Sequence, residues 1–318
     1  MQSILETVLP IFGLILCGYL VGRKGWMSEE AIKGLNTFVF YFAIPALLFR
    51  SMARGVGPIE FTIAGAYLSS VLVTFILAWG LALLLFRTGL AERTLFGMGS
   101  IFSNTVLLGI PLIFTALGEE GGLQLMLIIT FHAILIFPVI TVLIELGRSA
   151  RGEGGAGWGT MMANAAKALA VNPIILALLA GIAYGASDLG LPAPADRFLV
   201  LLGGAAAPCA LFALGASLTG FTIAGDLKET LAIVVMKLLV HPAIMAVMAF
   251  YVFDLPPLAA VVAILTAAIP SGANVFIMAR QYNIYLARSA SAVLISTAVS
   301  VVTLSILLAV LKAWLAES

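Results

Sequence analysis

The sequence predicts an all-α membrane protein of ten transmembrane helices in two inverted five-helix repeats, with helices four and nine broken. Three observations lead there. Of 318 residues, 62% are hydrophobic and only 10% charged, where soluble chains carry about 45–50% and 25%. Ten apolar runs each approach the ~20 residues a helix needs to cross the hydrocarbon. Helix-breaking residues also recur at one constant spacing between the two halves. Mean hydropathy is +1.16, which excludes an ordinary cytosolic enzyme and a disordered chain. A net charge of +1 leaves no polyanion-binding surface, so no nucleic acid is expected as a partner. Cys17 and Cys209 lie in apolar runs, with neither a disulfide framework nor metal-ligand spacing. No metal or cofactor is expected.

The runs are 3–22, 31–53, 61–86, 94–117, 121–147, 168–186, 197–220, 228–253, 257–280 and 289–315. They do not alternate polar with apolar residues, as the strands of a membrane barrel would. Arg23 and Lys24 follow the first run and no basic stretch precedes it, so it reads as a span and not as a cleaved signal. The polar stretch 148–167 holds Arg148, Arg151, Glu153 and the glycines 152, 154, 155, 157 and 159. It reads as a flexible linker. The expected organisation is a first repeat over 1–147, this linker, and a second repeat over 168–318.

Basic residues set the orientation. Arg23, Lys24, Lys33, Arg87, Arg93, Arg148, Arg151, Lys167, Lys228, Arg280 and Arg288 fall on one side; Arg50, Arg54, Arg197 and Lys312 fall on the other. The linker side is therefore expected in the cytoplasm, with both termini outside the cell membrane.

Shifting the sequence by 163 residues places Pro10 on Pro173, Gly18 on Gly181, Gly22 on Gly185, Pro45 on Pro208, Phe49 on Phe212 and Gly109 on Gly272. Five spans per half is an odd number, so the second half enters the membrane from the opposite side. That is the inverted repeat of many secondary transporters.

Spans four and nine carry the chemistry. Span four contains Asn104, Thr105, Gly109 and Pro111; span nine contains Pro270, Gly272 and Asn274. Proline removes a backbone donor and crowds the preceding turn, and freed backbone groups at membrane depth must line a cavity or lie in protein. Matched breaks point to a substrate site, and half-helix N-termini favour an anion. Asn104 and Asn274 add donors without charge. Lys237 and His241 lie at depth in span eight, on one face at i, i+4. His132, on an otherwise apolar stretch of span five, is expected in a hydrogen-bonded packing role. Deep carboxylates are missing: Glu6, Glu145 and Asp254 sit at span ends, and Glu119 and Glu120 in a loop. The substrate is then an anion, most simply a carboxylate. Arg50 and Arg54 read as interface anchors, with substrate attraction as the alternative. No nucleophile–base pair or nucleotide loop is visible, so an enzyme is not expected.

The stretch from Asn104 to Leu112 (NTVLLGIPL) resembles the fourth-span motif of auxin efflux carriers. Ile269–Phe276, continuing to Asn283, resembles their ninth-span crossover, and Lys237–Ala246 their eighth span. The chain is identified by this resemblance as similar to compact prokaryotic members of the auxin efflux carrier family, which includes carriers assigned to malonate and malate. The resemblance implies a fold similar to the bile acid–sodium symporter and NhaA-type antiporter group. Spans 1, 2, 6 and 7 would form a scaffold carrying a homodimer interface. Spans 3–5 and 8–10 would form a transport domain in which spans four and nine cross at the substrate site. Asn104 would contact the substrate carboxylate, and an elevator-like displacement would carry it across. Ser103 stands where plant carriers have Pro, Val275 replaces a second Pro, and Asn274 replaces an apolar residue. The short linker and the acid-free span three make auxin a poor fit. The expected function is secondary transport of small organic anions such as malonate or malate. Sodium-coupled symport and a non-transporting metabolite sensor are the alternatives.

Overall fold

The computed structural model describes residues 2–54, 61–152, 159, 163, 167, 170–187 and 189–317. The centre of the expected linker, with Glu153 and Gly154, Gly155 and Gly157, lies outside the described residues. Among the described residues the chain is helical, without a strand; only an isolated antiparallel bridge pairs Ser103 with Ser271.

The helices are α1 (Gln2–Arg23), α2 (Glu29–Ala53), α3 (Thr62–Phe86), α4 (Leu90–Ile101), α5 (Thr105–Ser149), α6 (Pro173–Gly185), α7 (Ala193–Leu218), α8 (Leu227–Val252), α9 (Pro257–Ala268), α10 (Asn274–Tyr282) and α11 (Leu286–Glu317). Six of them, α2, α3, α5, α7, α8 and α11, are long and apolar enough to cross a membrane. The first, sixth and ninth runs form shorter apolar helices, and the fourth is divided between α4 and the start of α5. Glu119 and Glu120 are not in a loop. They lie within α5 just past Gly118, whose φ of 73° and ψ of −165° interrupt the helix at a single residue. That conformation belongs to glycine, so one residue makes the turn that the sequence had suggested for a loop.

Polar side chains set several helix starts. Ser28 accepts from the Ala31 N–H, Asn172 from Ile174 and Asp226 from Lys228. Proline shapes the interiors. Wide π-type turns occupy Val39–Ala43, Thr105–Gly109 and Met236–Val240. In each case a proline follows two residues later: Pro45, Pro111 and Pro242. A proline ring collides with the carbonyl four residues before it, and that carbonyl falls inside the widened turn each time. The wide turn relieves the collision without ending the helix.

The chain divides into two compact units. The first comprises 1–60, 106–126 and 166–220; the second comprises 61–105, 127–165 and 221–318. In the first unit α1 lies against the second part of α7 with no room between backbones. A Cβ on Gly18 would sit 2.0 Å from Phe212 O, and one on Gly215 would sit 1.9 Å from Ile15 O. A Cβ on Gly181 of α6 would likewise meet Phe49 O of α2 at 2.7 Å. Within lipid, where apolar surface gains little by leaving one hydrocarbon for another, such close approach drives helix association. The same unit holds Arg50, whose Nε donates to Asp196 Oδ1 at 2.8 Å and whose Nη1 lies 3.3 Å from Glu119. Arg54 Nη2 reaches Asp196 Oδ2 at 2.9 Å. Both arginines are thus tied to acids within the protein.

In the second unit, Phe96, Met98, Phe102, Ile140, Ile144, Ile233, Val275 and Met278 form one apolar cluster from four helices and the start of a break. It packs beside the broken segments described next.

Candidate functional site

The second unit contains two breaks in helical structure, and they lie against each other. Between α4 and α5 the chain is extended at Phe102 (φ −83°, ψ 103°). Between α9 and α10 it leaves the helix at Ile269 (φ −59°, ψ 137°). The freed backbone groups of one break are served by the other. The Asn104 N–H donates to Pro270 O at 2.9 Å, and the Gly272 N–H donates to Phe102 O at 2.8 Å. Deep in a membrane protein such groups have no water to turn to, so this exchange is what makes the two breaks tolerable together. Gly272 has a steric reason to be glycine, because a Cβ there would meet Ser103 O at 3.2 Å and Phe102 Cδ1 at 3.3 Å.

Each bridge serine also serves the last turn of the other broken helix. Ser103 Oγ donates to Thr266 O at 2.7 Å, and Ser271 Oγ donates to Gly99 O at 2.7 Å. Helix ends leave carbonyls without partners, and these hydroxyls supply them. Neither serine was singled out as a site residue from sequence. The available signal was a hydroxyl beside each midspan break.

Of the residues expected at the site, Asn104, Pro270 and Gly272 meet at the bridge and are buried. Asn104 is 6% exposed, and its Nδ2 amide has no hydrogen-bond partner. Thr105 and Asn274, both half-buried, start α5 and α10. The N-termini of these helices carry partial positive charge, while the N–H groups of Asn104, Thr105 and Val275 are bonded to Pro270 O, Ser103 O and Gly272 O. Gly109 and Pro111 are buried further along, at the end of the wide turn of α5 and in the turn after it.

Lys237 is fully buried in the wide turn of α8. Its Nζ donates to Ala267 O at 2.5 Å and to Ser103 Oγ at 2.9 Å, and lies 3.4 Å from His241 Nδ1. Lys237 and His241 therefore share a face, as their spacing requires. The Tyr67 ring stands 5.8 Å from the His241 ring and 5.7 Å from that of His132. His132 packs 4.7 Å from Phe102, but neither of its ring nitrogens has a hydrogen-bond partner, so the hydrogen-bonded role expected of it is not met. None of these three partners of Lys237 is a carboxylate.

One acid is buried in this unit at the start of α8. Glu229, 4% exposed, accepts from the Tyr285 hydroxyl at 2.5 Å and lies 3.2 Å from Arg288 Nε. Burial, reinforced by this hydrogen bond to Glu229, holds the Tyr285 phenol above its ordinary value. Among the described residues no group of three or more His, Cys, Asp or Glu could hold a metal ion.

Comparison with known proteins agrees with this geometry in kind. The family described as Membrane transport protein matches residues 3–154 and 159–308. The chain is 34% identical over 316 residues to a Rhizobium meliloti protein named "Putative malonate transporter", covering 98% of this chain and 97% of that one. It is 25% identical over 333 residues to Auxin efflux carrier component 8 of Arabidopsis thaliana, covering 89% and 90%. An "Uncharacterized transporter" of Methanothermobacter thermautotrophicus is 27% identical over 307 residues, covering 94% and 95%. With six helices fit to span a bilayer and a match along nearly its whole length, the chain belongs to the auxin efflux carrier family of membrane transport proteins and is a multi-pass membrane transporter.

Proposed function

We propose that this chain is a secondary transporter of small organic anions, carboxylates such as malonate or malate, working by elevator-like alternating access. The observation that carries this reading is the Asn104 side chain. It is more than nine-tenths buried, its amide nitrogen is unpartnered, and it sits where α5 and α10 begin. A buried donor without a partner costs about 1–3 kcal/mol, and a carboxylate would satisfy it while meeting the positive ends of two helices. Thr105, Asn274, Gly272 and Pro270 complete the site in this reading. Gly109 and Pro111 shape the helix that leads from it.

The same reading takes the chain as ten spans in two inverted repeats. What supports it is the pairing in the first unit. Gly18 packs on Phe212, and Gly181 packs on Phe49; the 163-residue shift turns one contact into the other. The scaffold would be spans 1, 2, 6 and 7, and the transport domain spans 3–5 and 8–10. The two compact units follow that partition for spans 1, 2, 6 and 7 and for spans 3 and 8–10, while residues 106–126 of spans four and five fall in the first unit. The transporter would work as a homodimer in the cell membrane, with both termini outside and the 148–167 linker in the cytoplasm. It would perform no chemical conversion.

The test is uptake of labelled malonate and malate into proteoliposomes. Asn104→Ala that folds as wild type should lose about tenfold or more of the uptake, the factor expected for one buried hydrogen bond to a charged group. Unchanged uptake in that variant would remove Asn104 from the site.

A further inference from the structure

The two broken helix ends at the bridge are not served alike. At the end of α4 the side chain that serves the last turn is a hydroxyl: Ser271 Oγ donates to Gly99 O at 2.7 Å. At the end of α9 a cation has been added. Lys237 Nζ has three neighbours within 3.4 Å: Ala267 O, Ser103 Oγ and His241 Nδ1. The proton of Ser103 Oγ is engaged with Thr266 O at 2.7 Å, so toward Lys237 this oxygen accepts. The carbonyl can only accept, and the imidazole nitrogen can accept in one tautomer. With Nδ1 unprotonated, three acceptors match the three N–H bonds of an ammonium; the other tautomer would instead suit a neutral amine, which donates two bonds and accepts one.

The groups that face this cluster are Tyr67 of α3, His132 of α5 and His241 of α8. Tyr67 OH lies 3.4 Å from Ser103 Oγ. None of these is acidic. The counter-charge to Lys237 is therefore the carbonyl end of α9, which carries about half a negative charge. Oxygen atoms at the carbonyl end of a broken helix are the ligand set by which transporters hold a coupling Na⁺.

We propose that the Lys237 ammonium is a tethered cation standing where a coupling ion would otherwise bind, so that this transporter moves its anion without Na⁺. The position is built for one positive charge, and the chain provides that charge itself. Lys237 acts here as a positioning residue: it holds the end of α9 to Ser103, and Ser103 precedes the substrate-facing Asn104. The functional consequence rests on the carboxylate-transport reading.

Wild type and two variants test this in proteoliposomes and by thermal unfolding. Wild-type uptake should be equal when Na⁺ is replaced by K⁺ or choline. Lys237→Ala leaves the acceptors in place and opens room. Its uptake should fall about tenfold or more, as loss of charge-assisted hydrogen bonds implies, and methylammonium or Na⁺ should restore it. Lys237→Met fills the same space without charge, and should lose uptake with no rescue. Methylammonium should raise the melting temperature of Lys237→Ala and leave wild type and Lys237→Met unmoved. Wild-type uptake that stops without Na⁺ would overturn the proposal. So would full uptake by either folded variant, or a Lys237→Ala protein indifferent to added cations in both assays. If wild type moves no carboxylate at all, the transport reading fails, while the cation-selective shift in melting temperature still decides the role of Lys237.

Discussion

Replacing Ser103 with Ala probes the centre of the bridge. The hydroxyl makes two buried bonds: it donates to Thr266 O at 2.7 Å and accepts from Lys237 Nζ at 2.9 Å. Removing it strands a carbonyl and one N–H of the fully buried Lys237. A stranded neutral group costs about 1–3 kcal/mol and a charged one more, so the sum is about 2–5 kcal/mol. A competing consideration lowers this. Hydrogen bonds inside membrane proteins average about 0.6 kcal/mol, because the unfolded chain in the membrane finds partners too. The structure favours the larger figure, since both groups are already fixed, by the carbonyl end of α9 and the wide turn of α8. Equilibrium unfolding of the purified protein in mixed detergent micelles would measure it. A double-mutant cycle with Lys237→Met should give a coupling of about 1 kcal/mol or more, within the range for contacting residues. A Ser103→Ala loss below about 1 kcal/mol, close to two average membrane hydrogen bonds, would refute the reasoning. The bridge would then rest on its backbone exchange alone.

Two further outcomes follow from the first unit. Gly215→Ala would place a methyl 1.9 Å from Ile15 O, a backbone atom that cannot rotate away. Forcing α1 from α7 should cost about 1–3 kcal/mol in the same unfolding assay, whereas Gly13→Ala, with open space around its Cβ, should cost nothing measurable. Asp196→Asn removes the acid shared by Arg50 and Arg54. These side chains keep 14%, 47% and 23% exposure for Arg50, Arg54 and Asp196, so the loss should be only about 1 kcal/mol. It should shrink as salt is raised.

Much of this was legible in the sequence, and the remainder was hidden for identifiable reasons. Composition and run length gave the helical membrane class. Pro270 and Gly272 marked the break in span nine, because those residues act locally, whereas in span four the break falls at Phe102–Asn104, ahead of Gly109 and Pro111. The i, i+4 spacing put Lys237 beside His241, and the structure brings their nitrogens to 3.4 Å. Pro45, Pro111 and Pro242 fall inside the expected spans, and the structure shows how the helices continue past them, through three wide turns. Local propensity does not distinguish a widened turn from a terminated helix. The pairing of Gly109 with Gly272 by constant shift did not locate the bridge, where Ser103 faces Ser271 and Gly109 lies past the break. The hydroxyls of Ser103 and Ser271 escaped notice because their partners are 163 and 172 residues away. A serine's reach across that distance leaves no periodic trace. Arg50 and Arg54 looked like anchors at a membrane surface, but their acids come from residues far along the chain.

The exchange between Asn104 N–H and Pro270 O, and between Gly272 N–H and Phe102 O, is made entirely by main-chain atoms. Substitution of side chains cannot delete it, short of a proline at Asn104 or Gly272. The join therefore behaves as a rivet common to every descendant sequence that keeps those N–H groups. In the reading proposed above, side chains around the join could alter the fit to a solute without unfastening it.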